Sequence, residues 1–338
     1  MDEAGTLSNK IGRAKKTQIT NLKIIGEING TDLRMIREMA GKDKWDTPTN
    51  GMLSVLDLSD AKIVEGGDYY VSPYHNHIKC YTSNDKIGDY AFFGCSGLTS
   101  LTLPSGVTEI GFKAFYGCSG LTSLTLPSGV TEIGSYAFQN CSGLTSLALP
   151  SGVTEIGYNV FQNCSGLTSI TLPSGVTEIG YQAFSGCSGL TSLTLPSGLT
   201  SIGDGAFGGC SGLTSITLPS GLTSIGDGAF SGCSGLTSIY VYTEKLPSIG
   251  SDVFYDCDAK KCTVYVPKGT YDDYWLSEFS YFENIVEFDP TGINNVITSN
   301  DAKVLSRYSL NGQRLSAPTK GLNIVKYSDG SVKKVAVQ

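Results

Sequence analysis

Residues 95–118 read CSGLTSLTLPSGVTEIGFKAFYGC, and nearly the same string returns through the middle of the chain. Its cysteines recur every 23 residues, at Cys95, Cys118, Cys141, Cys164, Cys187, Cys210 and Cys233. A fixed period of this length indicates a solenoid, because one such unit cannot bury its apolar face without a neighbour. The sequence therefore predicts a stack of similar coils.

Each repeat contains a short strand followed by turns. Leu101 and Leu103 lie two residues apart, so on a strand they point to one face, while Thr102 points to the other. Pro104 cannot donate to a β-ladder and ends the strand. The apolar slot of Phe115 stays phenylalanine in the later repeats, and we predict a short helical turn there that docks on the core. The pattern predicts an α/β repeat with one parallel strand in each coil.

Three features carry a resemblance to a known family: the strand motif LTSLTLP at 98–104, the block IGFKAFYGC at 110–118, and the 23-residue period. Together they resemble the bacterial BspA-like class of leucine-rich repeats. The resemblance implies a right-handed leucine-rich-repeat solenoid, exposure on the bacterial surface and, for some members, adhesion. It names no ligand, because the class is defined by its scaffold.

The sequence outside the repeats predicts caps and a small additional module. We divide the chain into an N-terminal capping region at 1–86, the solenoid at 87–262, a C-terminal cap at 263–288, a linker at 289–302 and a module of two β-hairpins at 303–338. In the first region we predict a helix over 33–40, capped by Thr31-Asp32. In the C-terminal cap we predict a helix over 271–279. The hairpin module resembles small modules of surface proteins, which implies a role in export or attachment.

Composition excludes several classes of function. Only 16% of the 338 residues are charged and the net charge is −7, so we expect no nucleic-acid partner. No apolar run approaches the ~20 residues of a membrane span. The chain begins Met-Asp-Glu-Ala-Gly without an apolar signal segment, which by itself predicts the cytoplasm. The family resemblance instead implies an extracellular or outer-surface protein whose leader is absent from this chain, and we expect a monomer rather than an obligate oligomer.

The sequence offers little for catalysis or metal binding. Seven of the ten cysteines lie on one periodic column, where parallel stacking points their side chains the same way, so we predict free buried thiols. His75 and His77, the two histidines of the chain, lie in an aromatic loop without a full set of ligands. No triad or phosphate-binding loop is recognisable. We therefore predict a protein that is not an enzyme and has no catalytic residue, cofactor or metal ion.

Differences between the repeats point to two candidate surfaces. They cluster just after the Ile-Gly pair of each repeat, where aromatic side chains form a candidate partner-binding ridge: Phe112, Tyr136, Tyr158 and Tyr181. The alternative is that these rings only cover neighbouring coils. A candidate acidic column, suited to calcium or a basic partner, consists of Glu109, Glu132, Glu155 and Glu178. Its alternative is a solvated row of carboxylates.

Two functions fit these observations. The first is a non-enzymatic cell-surface or secreted adhesion protein that uses the solenoid to bind an extracellular host protein or glycan. The variable ridge favours it. The second is a structural spacer or assembly rod with no small-molecule ligand, which the uniform serine and threonine face of the predicted sheet favours.

Overall fold

The computed structural model describes residues 3–12, 14–73 and 78–290, together with strand residues 304–309, 314–315, 321–327 and 332–337. The repeats form a solenoid whose strands pair in parallel at the offset of one repeat. Leu101 pairs with Leu124, and Leu147 pairs with Ile170. The predicted solenoid is therefore confirmed.

The N-terminal region supplies the first strands of the sheet. Its elements are α1 (Leu7–Ile11), β1 (Asn21–Ile28), α2 (Gly30–Met39), β2 (Val55–Ile63), β3 (Gly66–Val71) and β4 (Cys80–Thr82). Strand β1 pairs in parallel with β2, which pairs in parallel with the first coil at residues 100–102. The predicted start of α2 at Leu33 is wrong by three residues. Asn29 is the N-cap, because its side chain and that of Asp32 complete a capping box.

A buried arginine fixes α2 against the first coil. The guanidinium of Arg37 is fully buried and donates to the carbonyl oxygens of Tyr90, at 2.8 Å, and Ala91, at 3.1 Å. Its Nη2 lies 3.7 Å from a carboxylate oxygen of Asp46. Arg37 therefore joins α2 to the first coil, and a capping role of the N-terminal region stays a prediction.

The coils contribute two columns of short parallel strands. In chain order these are β5 (Lys86–Ile87), β6 (Ser100–Thr102), β7 (Glu109–Ile110), β8 (Ser123–Thr125), β9 (Glu132–Ile133), β10 (Ser146–Ala148), β11 (Glu155–Ile156), β12 (Ser169–Thr171), β13 (Glu178–Ile179), β14 (Ser201–Ile202), β15 (Ser215–Leu218), β16 (Ser224–Ile225), β17 (Ser238–Val241) and β18 (Ser248–Ile249). After each Ile-Gly pair the chain makes consecutive hydrogen-bonded turns instead of the predicted helical turn. Two turn residues in each coil, for example Lys113 and Gly117, have a left-handed backbone, which a helix does not accommodate.

The core is a continuous stack of phenylalanine rings. Neighbouring rings lie 5.2–5.9 Å apart, with planes tilted by 3–15°: Phe92, Phe115, Phe138, Phe161, Phe184, Phe207, Phe230 and Phe254. Beside them the cysteines are buried as free thiols, as predicted. Each thiol from Cys118 to Cys257 along the column donates to the phenylalanine carbonyl of the preceding coil, at 3.1–3.3 Å. The thiol column therefore ties one coil to the next.

The last coil is followed by β19 (Thr263–Pro267), α3 (Tyr271–Trp275), a 3-10 helix (Glu278–Tyr281) and β20 (Asn284–Phe288). Phe254 ends the core stack against Phe279 and Phe282, with ring centroids 4.9 Å away in both cases. The predicted helix over 271–279 is wrong beyond Trp275, because the Ser277 side chain caps a separate 3-10 turn.

The four remaining strands are β21 (Val304–Ser309), β22 (Arg314–Leu315), β23 (Gly321–Tyr327) and β24 (Val332–Val337). They pair antiparallel in the order β22-β21-β23-β24. The division of the chain into caps, linker and hairpin module stays a prediction. Residues 291–303, with most of the predicted linker, lie outside the described residues, as do His75 and His77. Among the described residues, no helix is long and apolar enough to cross a bilayer.

Candidate functional site

The turn after each Ile-Gly pair forms the candidate ridge. Its second residue has a left-handed backbone, with φ between 49° and 61°, in each of these coils: Tyr90, Lys113, Tyr136, Asn159, Gln182, Gly205, Gly228 and Asp252. Glycine adopts this conformation freely, whereas an L side chain costs about 1–2 kcal/mol. The backbone therefore favours glycine at this position, yet most coils have another residue there.

Two later coils have an Asp-Gly pair at the first and second positions of this turn. The Asp204 carboxylate accepts the backbone N–H of Asp227 at 2.9 Å, and the Asp227 carboxylate accepts that of Ser251 at 2.7 Å. Gly205 and Gly228 occupy the left-handed position. In these coils the aspartate satisfies a backbone N–H of the next coil, and the glycine adopts the left-handed φ angle without strain.

The first half of the candidate ridge is packed around a lysine. Phe112 and Tyr136 are both half-buried and meet edge-on, with centroids 5.6 Å apart. The Lys113 ammonium lies 5.2 Å from the centroids of both rings, within the range of a cation–π contact. Burial lowers the pKa of Lys113 from its ordinary value. Phe112 also meets Tyr90 edge-on, with centroids 5.4 Å apart, so both rings are engaged within the protein.

The second half of the ridge faces solvent. Tyr158 is 62% exposed and Tyr181 is 45% exposed, and their rings meet edge to face with centroids 6.4 Å apart. They occupy the first position of the turn in successive coils, whereas Tyr136 occupies the second position. The structure thus divides the four predicted aromatic residues into an enclosed pair and an exposed pair.

An amide cluster that the sequence reasoning missed adjoins the exposed pair. Gln162 and Asn159 both donate to the side-chain oxygen of Gln182, at 2.8 and 3.2 Å, and Gln139 donates to Gln162. Asn159 is only 4% exposed, and its Oδ1 has no hydrogen-bond partner among the described residues. The cluster is therefore one hydrogen bond short of satisfying its buried atoms.

A sequence signal for this cluster exists. Residues 139–140 and 162–163 are both Gln-Asn, where the corresponding residues of the next three coils are Ser-Gly or Gly-Gly. Asn163 donates to the side-chain oxygen of Asn140 at 3.1 Å, which extends the amide contacts across a second column. Two adjacent coils with the same polar pair predict such side-chain contacts.

The candidate acidic column is present as a row on successive strands. Glu109 pairs in register with Glu132, and Glu155 pairs with Glu178. Lys86 forms an ion pair with Glu109, and its hydrogen bond to that carboxylate raises the pKa of Lys86. Within the described residues, no group of three or more His, Cys, Asp or Glu side chains is placed to hold a metal ion. A function of the row in binding calcium or a basic partner stays a prediction.

The threonine hydroxyls beside the first strand column serve the stack itself. Thr122, Thr145 and Thr168 each donate to the threonine carbonyl of the preceding coil, at 3.1–3.3 Å. Ser238 and Ser215 bond to each other at 2.9 Å. These groups act as ties between coils, and the exposed tyrosines with their amide cluster are the more distinctive surface.

Comparisons with known proteins agree with the repeat pattern. A family model described as BspA type leucine rich repeat region matches in six copies, over residues 68–188 and 154–284. No curated protein matches this chain. Similar solved structures include a leucine-rich repeat protein from Bacteroides ovatus, at 29% identity and a TM-score of 0.47, with 61% of this chain and 59% of that one covered. The match thus spans less than two thirds of that protein.

Two further solved structures are similar to this chain. A leucine rich repeat protein of T. pallidum is 29% identical, with a TM-score of 0.36 and coverage of 55% of this chain and 74% of that one. A leucine rich cell surface protein from Faecalibacterium prausnitzii is 23% identical, with a TM-score of 0.32 and coverage of 64% and 72%.

Proposed function

Because the chain belongs to the BspA-type leucine-rich repeat family, we propose that it is a non-enzymatic binding or adhesion protein of the bacterial cell surface or the secreted fraction. Its ligand is an extracellular protein or glycan. Recognition takes place on the ridge of turns that runs along the solenoid. Repeat scaffolds of this kind present extended surfaces suited to binding rather than an enclosed catalytic cleft.

The exposure of Tyr158 and Tyr181 carries this proposal. An isolated exposed apolar side chain needs no explanation. Here two aromatic rings face solvent in consecutive coils. Two later coils with the same fold have Asp204 and Asp227 at this position. The fold does not require a ring at this position. Aromatic side chains are the commonest anchors of binding surfaces, which gives the rings a function in recognition.

A structural spacer is the second candidate. The hydroxyl ties of Thr122 and Thr145 and the stacked phenylalanine core support it, since they join each coil to the next along the whole array. A spacer of this kind needs no ligand, so a binding experiment separates the two candidates.

An array of extracellular-matrix proteins and glycans tests the proposal. It is probed with the intact chain, with a Tyr158→Ala/Tyr181→Ala variant, and with Tyr255→Ala as the matched control. Tyr255 is 65% exposed in the last coil, so its removal also deletes an exposed ring. We expect at least one component to bind the intact chain and the control, and to lose about tenfold or more in affinity for the double variant.

Two other results of the binding array would contradict the proposed recognition surface or the proposed binding function. Equal binding by the intact chain and both variants would show that the exposed pair is not the recognition surface. An array on which the intact chain binds nothing would favour the spacer. Labelling of intact producing cells with an antibody to the solenoid tests the proposed location, since an intracellular chain stays unlabelled.

A further inference from the structure

We propose that Tyr158, Tyr181 and the amide cluster beside them form a binding subsite for a neutral carbohydrate. This inference rests on the proposed function of the ridge in binding and names the class of ligand. The C–H groups on one face of a sugar ring carry slight positive charge, and the face of an aromatic ring carries negative charge, so the two stack. Tyr158 and Tyr181 provide such rings at 62% and 45% exposure.

The subsite has no charge. The turns at residues 133–141, 156–164 and 179–187 contain no Asp, Glu, Lys or Arg. Their neighbours on either side are charged, with Lys113 in the preceding turn and Asp204 in the following one. Charged partners are selected by complementary charge. The carboxylates of Glu155 and Glu178 stand one residue before these turns. An uncharged patch beside carboxylates therefore favours a neutral ligand over an acidic polysaccharide.

The amide side chains match the hydroxyl groups of a sugar. An amide offers an acceptor oxygen and two N–H donors, and a hydroxyl both donates and accepts. Asn159 and Gln182 directly follow the exposed tyrosines in sequence, and Gln162 donates to Gln182. The Oδ1 of Asn159 lacks a donor among the described residues. Gln162 and Gln182 are half-buried, so a ligand hydroxyl at this surface meets their amide groups.

The backbone holds these amides in place. Asn159 has φ of 57° and Gln182 has φ of 49°, in the left-handed region that favours glycine. Two later coils carry glycine at the same position, at Gly205 and Gly228. The middle coils thus retain amide side chains where later coils have glycine, and for Gln182 the backbone conformation is an unfavourable one. Hydrogen bonds between the amides fix them before a ligand arrives, which reduces the entropy lost on binding.

Titration with polysaccharides of known charge tests this subsite. The probes are three neutral polymers, a β-glucan, an α-mannan and a galactan, with hyaluronan as the acidic comparison. We expect the intact chain to bind at least one neutral polymer, with an affinity that is nearly constant from about 0.05 M to 0.5 M salt. We expect no comparable binding of hyaluronan.

Three variants locate the binding. Tyr158→Phe/Tyr181→Phe keeps both rings, so most of the affinity remains. Tyr158→Asp/Tyr181→Asp removes the rings and lowers affinity about tenfold or more. It folds, because aspartate is the chain's own residue at positions 204 and 227. Gln162→Ala removes one amide and lowers affinity about threefold. Asp204→Asn, in a coil outside the subsite, is the matched control and leaves affinity unchanged.

The inference is overturned if no neutral polymer binds, if hyaluronan alone binds, or if the aspartate variant binds as well as the intact chain. Its failure is distinguishable from failure of the proposed function. Binding of a matrix protein that depends on Tyr158 and Tyr181, without any binding of neutral polymers, overturns the carbohydrate subsite and leaves the ridge as a protein-binding surface. Thermal unfolding of each variant shows that it is folded.

Discussion

The turns at residues 156–187 and those at residues 202–233 have the same buried frame and different ridges. Phe161 and Phe207 are both fully buried, and each stacks between two further rings of the column. On the ridge, the first set carries Tyr158-Asn159 and Tyr181-Gln182, and the second set carries Asp204-Gly205 and Asp227-Gly228. Packing therefore determines the buried columns, while the ridge varies without a change of fold.

The Asp-Gly turns show what the fold itself requires there. Glycine fits the left-handed position, and the Asp204 carboxylate accepts a backbone N–H of the next coil. The tyrosine turns lack both features and expose two rings. The fold alone does not account for Tyr158 and Tyr181, and this difference is the reason why we propose that they serve recognition.

The largest effect that we expect concerns the buried cysteines, which belong to the core that the two sets of turns have in common. Burial raises the pKa of Cys164, of Cys257 and of Cys262 to about 12, while an unfolded thiol titrates near 8.5. The protonated thiols therefore contribute fully to the free energy of unfolding below about pH 8.5, and this contribution is lost as the pH rises towards 12. Together the three thiols lower the free energy of unfolding by about 4 kcal/mol for each pH unit in that window.

Denaturant unfolding with a reductant, repeated at steps from about pH 8 to pH 10, measures this loss. Cys164→Ala is the control, and its slope against pH is shallower by about 1.4 kcal/mol per unit. A free energy of unfolding that stays constant across the range would contradict the buried thiol column.

The next effect tests whether the two sets of turns share an equivalent core. Phe161→Ala and Phe207→Ala each remove a fully buried ring from the stack. We expect each to lower the free energy of unfolding by about 3–5 kcal/mol, with a difference between them below about 1 kcal/mol. Chemical denaturation followed by circular dichroism provides the measurement. A clearly smaller loss at either position would show that the frames are not equivalent.

A smaller effect tests the left-handed position. Gly205→Ala places a Cβ on a residue with φ of 59°, only 3.2 Å from Cγ of Gln182. We expect it to lower the free energy of unfolding by about 1–2 kcal/mol. Gly198→Ala is the control, because its added Cβ meets only one atom, at 3.8 Å. Equal losses in both variants would show that backbone conformation does not explain the glycine at 205.

The periodic features of this molecule are predictable from sequence because stacking constrains every coil in the same way. The spacing of the cysteines predicts the buried thiol column, and the slot of Phe115 predicts the ring stack. The ends of helices are less predictable, since they depend on single side chains. Asn29 starts α2 earlier than Thr31-Asp32 suggests, and Ser277 divides the helix predicted over 271–279.

The candidate site is only partly predictable. Sequence columns identify Tyr158 and Tyr181 as variable residues, and the structure shows them exposed. The columns do not show that Lys113 occupies the space between Phe112 and Tyr136. They show that Gln139 and Gln162 stand in one column, but they do not show the bond from Gln162 to Gln182, which joins two columns.

The most direct test of this account is the stability of a variant that converts the tyrosine turns into Asp-Gly turns. The variant is Tyr158→Asp/Asn159→Gly/Tyr181→Asp/Gln182→Gly, compared with the unaltered chain by denaturant unfolding at neutral pH. If these side chains serve recognition, their replacement relieves two left-handed residues at about 1–2 kcal/mol each, and this offsets the lost side-chain contacts. The account predicts a free energy of unfolding that is unchanged or higher. A loss of more than about 2 kcal/mol would contradict it, because the ridge would then be part of the packing.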